Sequence, residues 1–177
     1  MAVEGRKRLK VLYTNTDQFP NKRDELCMKI AGDEPDVMLV SEVIPKGQIA
    51  PLSAALLDMP GYSMYPSFDP LQPRLGPSGL RGVCIFIKNN LQVSELSFGL
   101  YAHVENVWLQ LSLKGNDRLL IGCLYRSPSR HQQESSDELC QLLHAACASK
   151  PTHLVVCGDF NLPNIDWENF FFFSFCN

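Results

Sequence analysis

Apolar residues in this chain fall into short blocks that stop at polar side chains. Val11-Leu12-Tyr13, reached through Leu9-Lys10 and ended by Thr14-Asn15, predicts a first strand. Pro20-Asn21 predicts a helix start with Asn21 as its cap, and Leu26, Cys27 and Ile30 form a helical stripe up to Gly32. The near-continuous apolar run that begins after Asp36 and ends at Ser41-Glu42 predicts a strand buried on both faces. A second helix is expected over 49–57. Strands follow over 83–88, 93–97, 107–113 and 119–125, spaced by turn signals such as Asn89-Asn90 and Lys114-Gly115-Asn116 that favour antiparallel neighbours. The clearest helix covers 134–148, with Leu139, Leu142, Leu143 and Ala146 on one face and Ser135 or Ser136 near its start, and a further buried strand covers 153–156 before Gly158-Asp159-Phe160-Asn161.

Helices interleaved with mostly antiparallel strands predict an α/β (α+β) layered sandwich. Two stretches do not fit it. Residues 66–82 carry Pro70, Pro73 and Pro77 with Gly76, Gly79 and Gly82, the composition of a long loop. Residues 170–177 hold five phenylalanines in six positions, with neither the helical nor the strand period, and are best explained as intronic or frame-shifted sequence.

Composition narrows the class. With 177 residues, 45% hydrophobic and 20% charged, the chain has the make-up of one globular domain. Its net charge of -3 excludes a general electrostatic attraction to polyanions, so any nucleic-acid contact is local, through Arg74, Arg81, Lys88 or Arg126. Seven cysteines at irregular spacing, with no C-x-x-C pair, argue against a disulfide framework, a disulfide-linked partner or a zinc site. No apolar stretch approaches the roughly 20 residues of a membrane span. A cytoplasmic or nuclear protein is expected, of open oligomeric state.

The polar residues that end the strands are the candidate chemistry: Asn15, Glu42, Tyr125 with Arg126, Asp159 and Asn161. On layered folds, function sits at strand ends and their loops. A carboxylate and an amide two residues apart can orient a water and hold a phosphate oxygen, and Glu42 is the hard oxygen ligand that Mg²⁺ takes. Singly, each has a plainer reading: a strand-end carboxylate is usually solvated or caps a helix, and a tyrosine before Arg126-Ser127-Pro128 usually packs.

Their order adds to this. Thr14-Asn15, Ser41-Glu42, the run from Arg81-Gly82 to Ile87-Lys88, Val107-Trp108-Leu109, Tyr125-Arg126-Ser127-Pro128, and Gly158-Asp159-Phe160-Asn161 with Asp166-Trp167 resemble the endonuclease/exonuclease/phosphatase superfamily. Within it the chain is most similar to the apurinic-type endonuclease domain of non-LTR retrotransposons, over roughly residues 9–167. The resemblance implies a DNase I-like sandwich, two mostly antiparallel sheets with helices outside, and Mg²⁺-dependent cleavage of phosphodiester bonds with DNA as ancestral substrate. It implies Glu42 and Asn15 as metal ligands, Tyr125 as a contact of the scissile phosphate, Asp159 as the residue preparing the attacking water, and Asn161 with Arg126 as phosphate-side contacts.

One departure qualifies that expectation. The family closes on a Ser-Asp-His element and a separate aspartate, whereas no histidine follows Asn161 here, and His103, His131, His144 and His153 all lie upstream. The expectation is therefore a partial domain over 9–168, between a basic extension (1–8) and an aberrant tail (169–177), lacking its last strands. It would bind Mg²⁺ weakly or have lost it, and its activity would be weak or absent. The alternatives are a non-catalytic remnant or interaction protein and, among enzymes, a phosphoinositide or nucleotide phosphatase.

Overall fold

The computed structural model describes residues 8–71, 80–128 and 131–162. Along the chain run β1 (Val11–Asn15), α1 (Phe19–Asp33), β2 (Val37–Ser41), α2 (Ala54–Leu57), β3 (Tyr62–Pro66), β4 (Val83–Lys88), β5 (Val93–Leu96), β6 (Val104–Ser112), β7 (Arg118–Arg126), α3 (Gln132–Ala148) and β8 (His153–Asp159). They build two four-stranded sheets, ordered β1-β2-β4-β3 and β5-β6-β7-β8. Each sheet holds one parallel pair, β1 with β2 and β7 with β8, and is otherwise antiparallel.

Because side chains on a strand alternate faces, the continuous apolar runs supply two cores at once. From β2, Val37 and Leu39 point inward and meet Ile85 and Ile87 of β4 and Leu109, Ile121 and Cys123 of the facing sheet. Met38 and Val40 point outward onto Phe19 and Leu26 of α1. On the second sheet Trp108, Leu120 and Leu124 point outward onto Leu139, Leu142 and Ala146 of α3. The layers are thus helix, sheet, sheet, helix. Trp108 lies flat on β7 because position 122 is glycine: a Cβ there would meet the indole ring at 2.3 Å.

The sandwich has the DNase I-like architecture expected from the sequence, with local differences. The second helix shrinks to Ala54–Leu57, since Pro51 interrupts the stretch and Ile49 stands 67% exposed, off any core. β3 is an unforeseen strand. It lies at a sheet edge and ends at Pro66, where a missing N–H costs little. Asn21 does not cap α1: the helix begins at Phe19, and the Asn21 amide donates to Gln18 Oε1. Ser135 and Ser136 likewise do not cap α3, and both hydroxyls donate back to the Gln132 carbonyl. Residues 72–79 of the 66–82 loop, the 169–177 tail and Asp166-Trp167 lie outside the described residues. No disulfide joins the described cysteines, and no described helix is long and apolar enough to cross a membrane.

Candidate active site

Parallel pairing sets the site's position. In the first sheet Asn15 lies beside Ser41, with Glu42 one residue beyond; in the second Tyr125 lies beside Asp159. Parallel strands finish at the same end, and β1 packs against β8, so the two sheets bring these side chains to one end of the sandwich. Asn15 Nδ2 donates to Asp159 Oδ2 at 3.2 Å, across 144 positions of sequence.

The other Asp159 oxygen accepts the Asn161 backbone N–H at 3.2 Å, so the carboxylate is oriented from both sides. Asn15 is also held, its Oδ1 accepting the Asp17 N–H at 3.0 Å. β8 approaches β7 closely enough to require Gly158, where a Cβ would fall 2.1 Å from the Leu124 carbonyl oxygen. That close approach sets Asp159 beside the end of β7.

Glu42 is largely buried, its side chain 14% exposed, and its Oε2 stands 3.0 Å from Arg81 Nη2. The same nitrogen donates to Asp17 Oδ1 at 2.7 Å, and the guanidinium holds the Asp17 carboxyl below the usual carboxylate range. Tyr125 is buried, and burial pushes its phenol up to about 12, helped by the Glu42 charge and by the hydrogen bond between them. At neutral pH it is a protonated donor.

Arg126 differs from expectation. It is 2% exposed and turned inward: Nη1 donates to the Phe160 and Asn161 carbonyls, Nη2 to the Gln132 carbonyl and the Ser136 hydroxyl. Only its Nε, buried, lacks a partner among the described residues. Asn161 returns the contact, Nδ2 donating to the Arg126 carbonyl at 2.8 Å. The strand expected over 153–156 runs on to Asp159 and ends there, and Asn161 turns to φ 44°. The cations expected to meet substrate are redistributed too. Arg81 is buried against carboxylates, Lys88 sits at the opposite end of β4, and Arg74 lies outside the described residues.

Sequence reasoning missed Asp17 and Glu105 and misread Arg81. The Glu105 carboxylate accepts the Arg81 and Gly82 N–H groups at 2.7 and 2.8 Å, joining the second sheet to the start of β4. An arginine before a glycine that opens an apolar strand was the available signal.

Glu42, Asp17, Asp159 and the Asn15 amide bring oxygen donors to this end. That chemistry suits a hard divalent cation and offers no thiolate or imidazole. Among the described residues no cluster of three or more His, Cys, Asp or Glu could hold a metal, so a cation here would rely on one or two carboxylates and on waters.

A sequence model described as the Endonuclease/Exonuclease/phosphatase family matches residues 11–174. The chain belongs to this family. Its members generally use divalent metal ions. No curated protein matches by sequence. Among solved structures, TDP2 from D. rerio complexed with single strand DNA product superposes with a TM-score of 0.61 at 15% identity, over 89% of this chain and 62% of that one. The human Nocturnin catalytic domain with bound sulfate anion gives 0.57 at 17%, over 87% and 64%. An AP endonuclease from Archaeoglobus fulgidus gives 0.55 at 19%, over 88% and 58%. These likenesses are of fold, and the chain spans about 60% of the length of each family structure.

Proposed function

We propose that this chain is a Mg²⁺-binding phosphodiesterase domain of the retrotransposon endonuclease type, acting on a DNA backbone, and that its 177 residues alone turn over weakly or not at all. The observation that carries the reading is the Asn15–Asp159 contact, which joins two strand ends with Glu42 and Tyr125 at the same end of the sandwich. The order of its motifs, Tyr125-Arg126-Ser127-Pro128 among them, supports the retrotransposon branch.

In this reading Glu42, with Asn15 and Asp17 beside it, would hold the cation, which when bound supplies Lewis-acid stabilisation of charge on the phosphate. Asp159, oriented by Asn15 and the Asn161 N–H, takes a proton from the attacking water. Tyr125 remains protonated, and its single proton, which rests on Glu42 in the cation-free protein, would turn to a phosphate oxygen once Glu42 is on the cation. Asn161 keeps one amide proton on the Arg126 carbonyl and has the second for phosphate. Arg126 acts as a positioning residue for Asn161, in place of the substrate contact expected from sequence.

No described histidine stands ready as a further donor. His153 opens β8 at the far end from Asp159 and His144 lies on α3, while His103 stacks on His131 at the site end of β6, with β7 between β6 and Asp159. A positioned donor of that kind is worth roughly 10²–10³ in rate. The test is nicking of supercoiled DNA at low salt with Mg²⁺, run beside thermal melts. The expected result is a melting midpoint raised by Mg²⁺ in the wild type and not in Glu42→Ala, with little or no nicking. Robust nicking lost in both Glu42→Ala and Asp159→Ala would overturn the weak-turnover claim. A midpoint indifferent to Mg²⁺ would leave a non-catalytic remnant.

A further inference from the structure

We propose that Arg81 is the resident counter-ion of the candidate cation site: its guanidinium holds Glu42 and Asp17 in place in the cation-free protein and competes with the cation for Glu42. This rests on the reading of Glu42 as a cation ligand.

Arg81 is the cation seated on that carboxylate. Its side chain is 6% exposed, and Nη2 alone serves Asp17 Oδ1 at 2.7 Å and Glu42 Oε2 at 3.0 Å. Nε donates to the Ile44 carbonyl at 3.1 Å, so the fork is fixed in a plane. The backbone is pinned as firmly. Glu105 accepts the Arg81 and Gly82 N–H groups, while the Ile44 and Val43 N–H groups donate to the Arg81 and Gly82 carbonyls at 2.7 and 3.1 Å. The guanidinium therefore cannot swing away when a second positive charge arrives. An arginine suits the position better than a lysine because one planar group must meet two carboxylates and a carbonyl together.

Two consequences follow. Glu42 has a left-handed φ of 56° and a nearly buried carboxylate, and without a counter-charge it would be an uncompensated anion beside Asp17, in a strained backbone and with only the neutral Tyr125 hydroxyl to meet it. Arg81 offsets that cost before any cation binds. By linkage, whatever stabilises the cation-free state weakens the cation's hold, so Arg81 trades affinity for a preformed site.

The experiment is a set of thermal melts in EDTA and across a MgCl₂ titration for the wild type, Arg81→Met, Arg81→Lys, Glu42→Gln and the Arg81→Met/Glu42→Gln pair. In EDTA, Arg81→Met is expected to lower the midpoint by on the order of 10 °C, and the added Glu42→Gln to restore part of it by removing the orphaned charge. Mg²⁺ should rescue Arg81→Met more than it stabilises the wild type, with an apparent dissociation constant on the order of tenfold tighter. Arg81→Lys should fall between them, and supplies the Mg²⁺ comparison if Arg81→Met does not fold in EDTA. Mg²⁺ binding through Glu42 that is equal or weaker in the Arg81 variants would overturn the competition and leave the cation site standing. No Mg²⁺ effect in wild type or variants would remove the cation reading itself, and the proposal with it.

Discussion

The two ends of the sandwich solve the same problem differently. At the far end, Lys88 Nζ donates to the Glu34 carbonyl and stands 3.6 Å from Asp36 Oδ1, while Asp36 Oδ2 accepts the Lys10 N–H at 2.9 Å. The Tyr62 hydroxyl donates to the Pro35 carbonyl. Polar groups there are paired, and the left-handed non-glycine residues, Glu34 and Lys150, follow the ends of α1 and α3, as such residues often do. At the site end, Asp17, Gln18, Glu42 and Asn161 all have positive φ without being glycine. Conformations of that kind cost on the order of 1–3 kcal/mol each and persist where surrounding structure fixes them. One end is built to close the sheets, and the other holds carboxylates and amides in directions that simple strand endings would not give.

Breaking what fixes the site end should have the largest effect. Arg126→Met removes the donor to the Phe160, Asn161 and Gln132 carbonyls and leaves acceptors in a nearly closed space. A loss of about 3 kcal/mol is expected, or roughly 10 °C in melting midpoint, with faster hydrogen exchange at Asn161. A loss within 1 °C would mean that the loop after β8 holds itself. Lys88→Met at the far end should cost less, about 1–2 kcal/mol, because the buried Asp36 loses one partner but keeps the Lys10 N–H. It should leave the Mg²⁺ response of the midpoint unchanged. A Mg²⁺ response that fell with Lys88→Met would show that the two ends are coupled, and the contrast between them would fail.

Much of this division is visible in the sequence, for a physical reason. Val37-Met38-Leu39-Val40 and Leu119-Leu120-Ile121 read as buried strands because both of their faces meet apolar layers, and period and composition agree. The strand-end residues Asn15, Glu42, Tyr125 and Asp159 were legible because polarity changes abruptly where a buried strand reaches solvent. β3 escaped because an edge strand needs no strong pattern, and Tyr62–Pro66 alternates only loosely between half-buried and exposed positions. The direction of the arginines escaped for a different reason. A charge beside an apolar run looks like a surface group, and only long-range contacts reveal Arg81 on Glu42 and Arg126 on the Asn161 carbonyl. Pairings over 39 and 35 residues (81 − 42 and 161 − 126) leave no local periodicity to read.

The smallest effect, absent at neutral pH, separates the two ends by their tyrosines. Tyr125 and Tyr62 are both shifted upward, first by burial, and each then feels a glutamate charge, Glu42 for Tyr125 and Glu34 for Tyr62. Only Tyr125 shares a hydrogen bond with its glutamate, and its phenol is carried to about 12 from the ordinary 10.0. A folded-state value raised above the unfolded one means that Tyr125 contributes its full stability below pH 10 and loses it as pH rises through about 12. Tyrosinate absorbance, taken as the difference between wild type and Tyr125→Phe, should therefore develop at about 12. In Glu42→Gln the neighbouring charge is gone and the neutral amide no longer favours the protonated phenol so strongly, so the Tyr125 component should move down toward 10 while the Tyr62 component stays where it is. A Tyr125 component already near 10 in the wild type would mean that its hydroxyl faces solvent and not Glu42, and the site end would lose the donor assigned to the phosphate.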